Sequence, residues 1–443
     1  MKIAIVGAGI TGLGAAWRLC RDNEVVVYEA ADYVGGHANT RDIEVGGRRL
    51  PVDTGFIVYN ETNYPYLTRL FAALGVPTEA SDMSFAVSLD RGRIEYEGSL
   101  KGLIAQPANA LRPSQWRMLH DLLRFYRSAP DLLHDTAGPE PTLNEVLAAG
   151  GYSRVFAERH ILPMAAAIWS SPLAAIGEFP ARSFARFFVN HGLFDLSRRP
   201  QWRTVTGGSR EYLSRLTRPF AGRIRLSTPV VKVRRTPAGV WLRDDRGQEE
   251  RFDQLVLATH ADQALKILAA EASGQERSVL GAFRYQANPA VVHCDPRLLP
   301  KRRALWASWN YLSAAEADGG RSLCVSYWMN RLQNLATAKP IVVTLNPVVE
   351  PAPETVFLRT LYDHPQFDHA ALQAQRALPD LQGLRRTWFG GSYCGYGFHE
   401  DGLEAGFAIA AALGAPVPWQ GRVPPASPAA QAVRPATFGA AAE

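Results

Sequence analysis

Cysteine is scarce in this chain of 443 residues, and the four that occur, Cys20, Cys294, Cys324 and Cys394, lie far apart. No two have CxxC spacing and no histidine-rich segment accompanies them, which argues against a zinc site or a disulfide framework. We therefore predict no metal site and a reduced, cytoplasmic protein.

Long hydrophobic runs are also missing, since none approaches the ~18 residues of a membrane span. A strand predicted from residue 2 leaves no room for a signal peptide. A strong excess of one charge is missing as well: 48 Lys and Arg oppose 42 Asp and Glu, and the net charge of +6 is spread along the chain. We predict no nucleic-acid partner, and a cytoplasmic location that extends at most to the inner face of the membrane.

The chain opens with a stretch typical of nucleotide-binding units, KIAIVGAGITGLGAAWRL. Its apolar run predicts a buried parallel strand, and the small-residue segment that follows predicts a helix. The glycines between them have G-x-G-x-x-G spacing, which allows a tight turn, close approach of a pyrophosphate and packing of the helix on the strand. Phosphates favour such a helix N-terminus because of its free N–H groups and dipole. The residues predicted to bind a cofactor here are Gly7, Ala8, Gly9, Ile10, Thr11 and Gly12.

A second predicted strand, EVVVYEA, ends in Glu29 about 20 residues further on, where a carboxylate suits a ribose hydroxyl. Glu29 cannot separate NAD from FAD, because both carry an adenosine ribose. The next residues favour FAD: Gly35 and Gly36 let a further loop approach the same diphosphate, and Gly55 follows in VDTG. An NAD domain would instead continue into its next crossover helix.

A segment near the other end, WFGGSYCGYGFHEDGLEAGFAIAAALG, predicts a strand end, an aromatic loop and a helix from about Gly402. The helix is rich in small residues, so we expect it to pack closely on the first helix, with its N-terminus facing the flavin. The alternative is an ordinary amphipathic helix. Together with the opening motif, FAD is the better explanation, and Gly391, Gly402 and Leu403 are predicted to contact it. We interpret Cys394 as a buried thiol that is not attached to the flavin, and we therefore predict a non-covalent cofactor.

With these segments in view, the chain resembles the FAD-dependent amine oxidase superfamily, which also holds phytoene desaturases and protoporphyrinogen oxidases. GGHANT is similar to the family's G-G-R-x-x-T, VDTG to its D-x-G, and EDGLEAG stands where relatives have E-G-A-V-E-A-G. TPVVKVRR resembles the strand whose backbone touches the adenine, and LVLATHADQAL the strand that carries A-T-P. The resemblance implies further cofactor contacts at His37, Thr40, Gly55 and Val231.

A narrower resemblance is carried by RHILPMAAAIWSSP, ALWASWNY, YWMNRLQNL and YCGYGFHEDGLEAG. These segments are similar to a bacterial family described as predicted NAD/FAD-binding proteins, often encoded beside cyclopropane-fatty-acid-synthase-like methyltransferases. Some members have been linked to introducing a double bond into methylated acyl chains. The resemblance implies a lipid-like substrate and such a methyltransferase as a partner.

Two residues depart from the superfamily pattern. His37 stands in place of an arginine, which removes a permanent charge beside the pyrophosphate, and Tyr393 stands in place of an acidic residue. Backbone N–H groups would then carry more of the cofactor binding.

The motifs divide the chain into alternating segments. We predict an α/β protein, with a Rossmann-type FAD-binding domain of the two-dinucleotide-binding-domain flavoprotein type and an inserted α+β substrate domain. The FAD-binding domain is predicted at residues 1–80, 204–270 and 384–415, the substrate domain at 81–203 and 271–383, and a mostly disordered tail at 416–443.

Within the first insert, PSQWRMLHDLLRFYRSAPDLL predicts an amphipathic helix that buries Leu119, Leu122, Leu123 and Tyr126. Its arginines leave two interpretations open, a solvated basic side of a domain helix or a contact with a membrane surface.

The aromatic loop before the last helix carries the candidate catalytic groups, His399 and Tyr396. The ordinary pKa of histidine suits proton transfer near neutrality. The alternative for His399 and its neighbour Glu400 is capping or packing at the helix start. Asp401 is interpreted as a helix cap, and His160 as a satisfied core residue.

These features favour FAD-dependent oxidation of an apolar, lipid-like substrate, namely desaturation of a fatty acyl chain. Flavin amine oxidation is one alternative. Amine oxidases of the superfamily often use a lysine linked through water to the flavin and two flanking aromatic rings. The matching strand, RYQANPAVVHCD, has no lysine, although Phe398 aligns with one ring. A non-catalytic flavoprotein that assists a lipid methyltransferase is a further alternative.

Overall fold

A computed structural model gives the structure of the chain. It describes the following residues: 1–99, 102, 105–134, 140–169, 173–190, 192–194, 200–315 and 321–419.

The centre of the molecule is a parallel sheet, here the cofactor sheet, whose strands come from widely separated parts of the chain. In spatial order its described strands are Ile224–Arg225, Glu24–Tyr28, Lys2–Val6, Gln254–Leu257 and Thr387–Phe389. Each neighbouring pair is parallel. The opening strand is fully flanked, which explains its uninterrupted apolar sequence. The strand-turn-helix unit predicted from the first residues is confirmed.

A second, mixed sheet is built from the inserted segments. Its described strands, in spatial order, are Val356–Gln366, Arg284–His293, Val342–Leu345, Arg321–Trp328, Trp309–Ala315, Phe85–Leu89 and Ile94–Glu97. The pairing of Trp309–Ala315 with Phe85–Leu89 is parallel, and it joins the two inserts in one sheet. The fold is thus the predicted α/β arrangement, a Rossmann-type FAD domain beside a substrate domain.

Smaller sheets and the helices complete the architecture. The remaining described strands are Thr40–Val45, Arg48–Asp53, Val58–Asn60, Thr78–Ser81, Trp202–Val205, Val230–Thr236, Gly239–Asp244 and Glu249–Phe252. The described α-helices are Ile10–Leu19, Pro65–Leu74, Pro107–Ala110, Pro113–Ser128, Leu143–Ala149, Arg154–Phe156, Leu162–Trp169, Leu173–Gly177, Ala181–Asn190, Arg210–Thr217, Ala261–Leu268, Gly274–Leu280, Met329–Leu332, His369–Ala377 and His399–Ala412. A π-helical turn, Ala157–Ile161, precedes Leu162–Trp169.

The first helix, Ile10–Leu19, packs directly on the last helix, His399–Ala412. Small residues make this approach close: a Cβ on Gly402 would lie 2.9 Å from Ile10 Cγ2, and one on Gly14 would lie 2.8 Å from Leu403 Cδ1. The predicted close packing of the two helices is therefore confirmed, although the last helix begins at His399 and not near Gly402.

A buried carboxylate ties the two halves of the molecule together. Asp53, at the end of a strand and 0% exposed, accepts hydrogen bonds from the Thr40 hydroxyl, at 2.6 Å, and from the Ser209 backbone N–H, at 3.0 Å. The amide of Gln333, from the inserted part, donates to its other oxygen at 2.8 Å. Asp53 thereby fixes the start of the loop that contains Gly55.

The amphipathic helix occurs as predicted, at Pro113–Ser128, but it is turned relative to the predicted face. Met118, Leu122 and Phe125 point into the core, whereas Leu119 is half-buried and Leu123 is 42% exposed. Leu122 and Tyr126 are buried as predicted, and Met118 and Phe125, which were not predicted, complete the buried face.

The prediction of disorder from residue 416 is wrong for residues 416–419. Pro416–Trp419 are packed: the Trp419 ring stacks on Trp17 at 6.2 Å and meets Phe407 at 5.6 Å. Arg18 Nε donates to the Pro416 carbonyl at 2.8 Å. Aromatic contact outweighs the proline- and alanine-rich composition that suggested disorder. Residues 420–443 lie outside the described residues.

Two features are absent from the described part of the chain. It contains no helix both long and apolar enough to cross a bilayer. It also contains no group of three or more His, Cys, Asp or Glu side chains arranged to hold a metal ion.

Candidate active site

One cavity of about 1810 Å³ runs from the cofactor sheet into the inserted part of the molecule. Single-ligand pockets are usually about 300–1,000 Å³, so this cavity has room for two molecules in contact. The half beside the cofactor sheet contains most of the predicted cofactor residues. The predicted residues that line it are Gly7, Gly9, Ile10, Thr11, Glu29, Gly35, Gly36, His37, Gly55 and Gly391.

Glu29 marks one end of this half, beside Thr228, Pro229 and Val230. Its carboxylate accepts hydrogen bonds from the backbone N–H of Ala8, at 2.7 Å, and of Ala31, at 2.9 Å. A carboxylate has about four lone-pair sites, so these bonds orient the group and leave acceptors for ribose hydroxyls. The geometry suits an adenosine ribose at this end.

Replacing Glu29 with alanine should weaken FAD binding by about 1.5–3 kcal/mol, as expected when hydrogen bonds to a charged group are lost. The measurement is titration of the apoprotein with FAD, followed by quenching of flavin fluorescence. Glu24→Ala is the matched control, because Glu24 begins the strand that Glu29 follows, but its side chain is 60% exposed and pairs with Lys2. Equal dissociation constants for wild type and Glu29→Ala would remove Glu29 from the site.

The middle of the cofactor half is formed by two glycine loops in contact. The backbone of Gly9 bridges to Gly35, and a Cβ on Gly36 would lie 3.4 Å from Gly9 Cα. A Cβ on Gly9 itself would meet nothing within 4 Å, although the residue lines the cavity. The N-terminus of the first helix opens into this space, with backbone N–H groups that a helix leaves unpaired. The space at Gly9 therefore fits a diphosphate.

The third part of the cofactor half is the loop before the last helix. Tyr393 lines the cavity there, and its buried hydroxyl has no hydrogen-bond partner among the described residues. An acceptor on a bound molecule would satisfy that hydroxyl. Its neighbour Cys394 is fully buried, and burial raises the pKa of the thiol to about 12, so the sulfur is held as an unreactive thiol. The residues present along this half of the cavity fit FAD.

His399 lies at the inner end of this loop, with its ring stacked on Phe56 at 4.0 Å and its Nε2 2.7 Å from the Tyr212 hydroxyl. Burial lowers the pKa of His399 to about 3. The expectation that its pKa suits proton transfer near neutrality is therefore wrong, because the aromatic surroundings exclude the water that would solvate an imidazolium. At physiological pH His399 is a neutral hydrogen-bonding group.

Tyr396 lines the cavity close by, with its ring 6.1 Å from that of Phe187. Burial raises the pKa of Tyr396 to about 12, so the phenol keeps its proton. Both predicted catalytic residues thus face the cavity as uncharged groups. Their neighbours, Phe187 and Phe398, are stacked at 4.8 Å and continue the aromatic wall.

The acidic residues that follow His399 have structural roles. Glu400 is buried, and its carboxylate accepts the backbone N–H groups of Tyr66, at 2.6 Å, and Leu67, at 3.0 Å, at the start of another helix. Asp401 accepts the backbone N–H of Phe398 at 2.8 Å and closes the first turn of the last helix. Glu400 therefore caps the helix Pro65–Leu74 and not, as the alternative interpretation had it, the start of its own helix.

Several predicted cofactor residues support the site without lining the cavity formed by the described residues; they are Ala8, Gly12, Thr40, Val231, Gly402 and Leu403. Gly12 has no room for a Cβ because the Gly7 carbonyl abuts it, and Gly402 and Leu403 lie in the helix contact. Thr40 donates to Asp53.

The strand that resembles the adenine-contacting strand has a register shift beside Val231. The strand has an irregularity between Val230 and Lys232, which turns the side chain of Val231 outward, 52% exposed. Val230 is buried and lines the cavity in its place. The resemblance implies a contact through the backbone of this strand, so the outward side chain leaves the contact at Val231 a prediction.

A cluster of histidines was not foreseen as a unit. The His37 ring lies 5.3 Å from that of His364, 6.1 Å from that of His260 and 4.9 Å from that of Tyr362, and all four residues line the cavity. Burial lowers the pKa of His37 and His260, and lowers that of His364 to about 4. The residue that replaces the family's arginine is therefore neutral, and no local sequence signal links it to His364.

The other half of the cavity is walled mainly by apolar and aromatic side chains from both inserts, and Asp82 and Glu97 also line the cavity. The segment HILPMAAAIW contributes Met164, Ala167, Ile168 and Trp169, and the mixed sheet contributes Trp309, Tyr327 and Leu345. His160 also lines it, with Nε2 2.9 Å from the Tyr126 hydroxyl and Nδ1 3.2 Å from the Tyr96 hydroxyl. Those contacts agree with the interpretation of His160 as a satisfied core residue.

Comparison with known proteins places this site in a family context. The sequence model of the family described as flavin containing amine oxidoreductase matches residues 10–294. The Mycobacterium tuberculosis protein AofH, named as a flavin-containing monoamine oxidase, is 26% identical over 260 residues, which are 56% of this chain and 55% of that protein. Carotenoid phi-ring synthase of Chlorobaculum tepidum is 28% identical over 134 residues, 30% of this chain and 20% of that enzyme. The chain thus spans about half or less of these curated relatives.

Solved structures share the fold across nearly the whole chain. Wild-type putrescine oxidase bound to putrescine superimposes with a TM-score of 0.67 and 15% identity, covering 93% of this chain and 99% of that one. The CLA-producing fatty acid isomerase from P. acnes superimposes with a TM-score of 0.64 and 15% identity, covering 91% and 96%. At these identities the likeness establishes the architecture.

Proposed function

This chain belongs to the flavin containing amine oxidoreductase family. From that premise we propose that it is an FAD-dependent oxidoreductase and that its substrate is an apolar, lipid-like molecule, a fatty acyl chain that it desaturates. The observation that carries the proposal is the wall of the second half of the cavity. Apolar and aromatic residues from two separate inserts form it, from Phe187 near His399 to Leu119 and Leu123 at the surface helix. Such a lining binds a chain by burial of methylenes.

The surroundings of His399 favour an uncharged substrate. Phe56 stacks on its ring, and Phe187 and Phe398 continue the wall. A protonated amine would lose its hydration there, which is costly unless a charged or hydrogen-bonding partner replaces it. An alkyl chain loses nothing by entering. The same architecture also accommodates a fatty acid isomerase, so acyl chains are compatible with it.

FAD, when bound, supplies a two-electron acceptor for the hydrogen removed from the chain. The protein's part is to place one carbon–carbon bond beside it and to exclude water. Trp169, Trp309 and the other walls do this by close packing, and the neutral Tyr396 and His399 hold fixed hydrogen-bonding positions at the reacting end. The N-terminus of the last helix begins at His399, so its N–H groups stabilise negative charge that develops nearby.

The test is a chain-length series. Saturated fatty acids of increasing length should bind with about fourfold higher affinity per added methylene until the cavity is full, since each buried methylene contributes about 0.8 kcal/mol. Binding is followed by flavin fluorescence, and anaerobic bleaching of the flavin absorbance reports oxidation of the chain. Alkyl and aryl amines form the parallel series.

A variant sharpens this experiment. Ala167→Leu adds bulk to the cavity wall, so we expect the affinity to stop rising at a shorter chain. Ala175→Leu is the matched control, because Ala175 is exposed on the following helix, Leu173–Gly177. Affinity independent of chain length, together with flavin bleaching by a small amine, would establish amine oxidation instead. A cyclopropane-synthase-like methyltransferase as partner stays a prediction.

A further inference from the structure

The surface helix Pro113–Ser128 turns large apolar side chains toward solvent. Trp116 is 56% exposed and Leu123 is 42% exposed, and Leu111, just before the helix, is 86% exposed. These residues lie within one short stretch of chain, whereas scattered single exposures need no explanation. The protein keeps an apolar edge at this place on its surface.

The same edge is an opening of the cavity. Trp116, Leu119, His120 and Leu123 all line the cavity that reaches His399. Since Trp116, His120 and Leu123 are also exposed, the cavity opens to the outside between these side chains. The turn of the helix away from its predicted face produces this opening, because Leu119 and Leu123 border the cavity instead of filling the core.

A basic depression adjoins the opening. Its volume is about 480 Å³, and it is lined by His120, Leu123, Arg124, Arg127, Ser128 and Asp131. His120 and Leu123 therefore border both the depression and the cavity. Arg124 contacts Asp121 at 3.3 Å and its side chain remains 40% exposed, and Arg117 contacts the same carboxylate at 3.2 Å with 57% exposure.

The charges around the opening leave it basic. Asp121 is buried, and its negative charge is met by Arg117 and Arg124 together. Arg127 is exposed beside them, and Asp131 is the acidic residue that faces the depression. A basic rim around exposed tryptophan and leucine matches the chemistry of a bilayer with anionic headgroups: arginines meet phosphates, and the apolar edge enters the acyl boundary.

We propose that this edge, formed by Leu111, Trp116, Leu123, Arg117, Arg124 and Arg127 and here called the docking face, binds the surface of an anionic lipid bilayer. The headgroup of a lipid sits in the basic depression, and an acyl chain enters the cavity between Trp116 and Leu123. Docking follows from exposure and charge alone. The delivery of a chain to the active site rests in addition on the proposed function.

The docking face is tested by flotation of the holoprotein with lipid vesicles. Vesicles of phosphatidylcholine with about one third phosphatidylglycerol should carry the protein upward, and pure phosphatidylcholine should carry much less, since each basic residue near an anionic surface contributes about 1 kcal/mol. Raising the salt concentration to about 0.5 M should release most of the protein, because exposed charges are then screened within a few ångströms.

Two variants separate the apolar and basic contributions. Trp116→Ser combined with Leu123→Ser should lower the partition coefficient at least about tenfold, since two apolar side chains no longer enter the bilayer. Arg127→Gln should lower it about fivefold, the factor that corresponds to one basic residue. Leu361→Ser is the matched control, because Leu361 is 59% exposed on an edge strand of the mixed sheet and does not line the cavity. Flavin content confirms that each variant is folded.

Each outcome decides between docking and its alternatives. The expected decreases in partition coefficient for the double variant and for Arg127→Gln, with no decrease for Leu361→Ser, support the docking face. Wild type that stays at the bottom of the gradient with every vesicle overturns it, as does equal flotation of the double variant. A wild-type dimer that the double variant converts to monomer, without flotation, identifies a second copy as the occupant. Flotation without any binding of acyl chains overturns the proposed substrate and leaves docking standing.

Discussion

Replacing Gly9 with valine yields a folded protein that contains no FAD. The expected result follows from where the side chain goes. Gly9 has φ −76° and ψ −179°, an extended conformation that valine adopts readily, and a Cβ at this position meets nothing within 4 Å. The folded protein therefore accommodates the valine side chain without a steric clash. The space it fills is the part of the cavity between the two glycine loops, where the diphosphate fits.

This separation of folding from cofactor binding is unusual among the glycines of the motif. Gly7 has φ +104°, and a Cβ there would lie 2.5 Å from the Ala258 carbonyl oxygen, so any substitution strains the sheet. Valine at Gly7 would disrupt folding and cofactor binding together, so that variant would not report on the cofactor site. At Gly9, by contrast, a substitution affects cofactor binding without affecting folding.

The measurement is the ratio of flavin to protein absorbance after purification, with circular dichroism and thermal unfolding as the folding readouts. Gly274→Val is the matched control, because a Cβ on Gly274 also meets nothing within 4 Å and the residue likewise lies at a helix start. Full flavin content in a folded Gly9→Val protein would show that the diphosphate lies elsewhere.

The second large effect is a loss of stability on mild acidification. Burial lowers the pKa of His37 and His260, lowers those of His293 and His364 to about 4, and lowers that of His399 to about 3. The folded protein holds these rings neutral, whereas the unfolded chain protonates them near the ordinary value of about 6.5. The free energy of unfolding is therefore highest above about pH 6.5. It decreases as the pH falls from there toward the pKa values of the folded protein, because only the unfolded chain takes up protons at these histidines.

The slope reaches about 1.4 kcal/mol per pH unit for each histidine that stays neutral in the folded state. Urea unfolding of the holoprotein between about pH 7 and pH 5 measures it. His293→Gln should reduce the slope by one proton, because the amide can replace the contacts of the ring with Thr344, at 2.7 Å, and with the Asp295 N–H, at 3.0 Å. His134→Gln, at an exposed position, is the matched control. A slope that His293→Gln does not alter would contradict the assignment.

The parts of the site that sequence could predict are those encoded by neighbouring residues. Gly7, Gly9 and Gly12 lie at the junction of the first strand and the first helix, and Glu29 directly follows the next strand of the same sheet, so their spacing indicates a nucleotide site. The small residues of the last helix likewise predict close packing. In the structure, Gly402 of the last helix and Gly14 of the first helix leave room for that contact.

The parts that could not be predicted depend on contacts between distant segments. His399 has a lowered pKa because Phe56 and Tyr212, far away in sequence, cover its ring. His364 meets His37 only when the mixed sheet is laid against the FAD domain. The outward turn of Leu123 depends on which of two apolar sets, its own or that of Met118 and Phe125, finds a partner surface.

The strand order of the cofactor sheet has a consequence for how the protein comes into being. Lys2–Val6 pairs with Gln254–Leu257, which in turn pairs with Thr387–Phe389. A ribosome therefore releases Gly9 and Glu29 long before it has made the strand and the loop at Gly391 that close the same cavity. The early strands must wait as unpaired edges during synthesis, since non-local pairings form only after the chain between them exists. FAD bound in this cavity would contact residues from both ends of the chain. Because it would bind only the folded protein, it would shift the folding equilibrium toward the folded state.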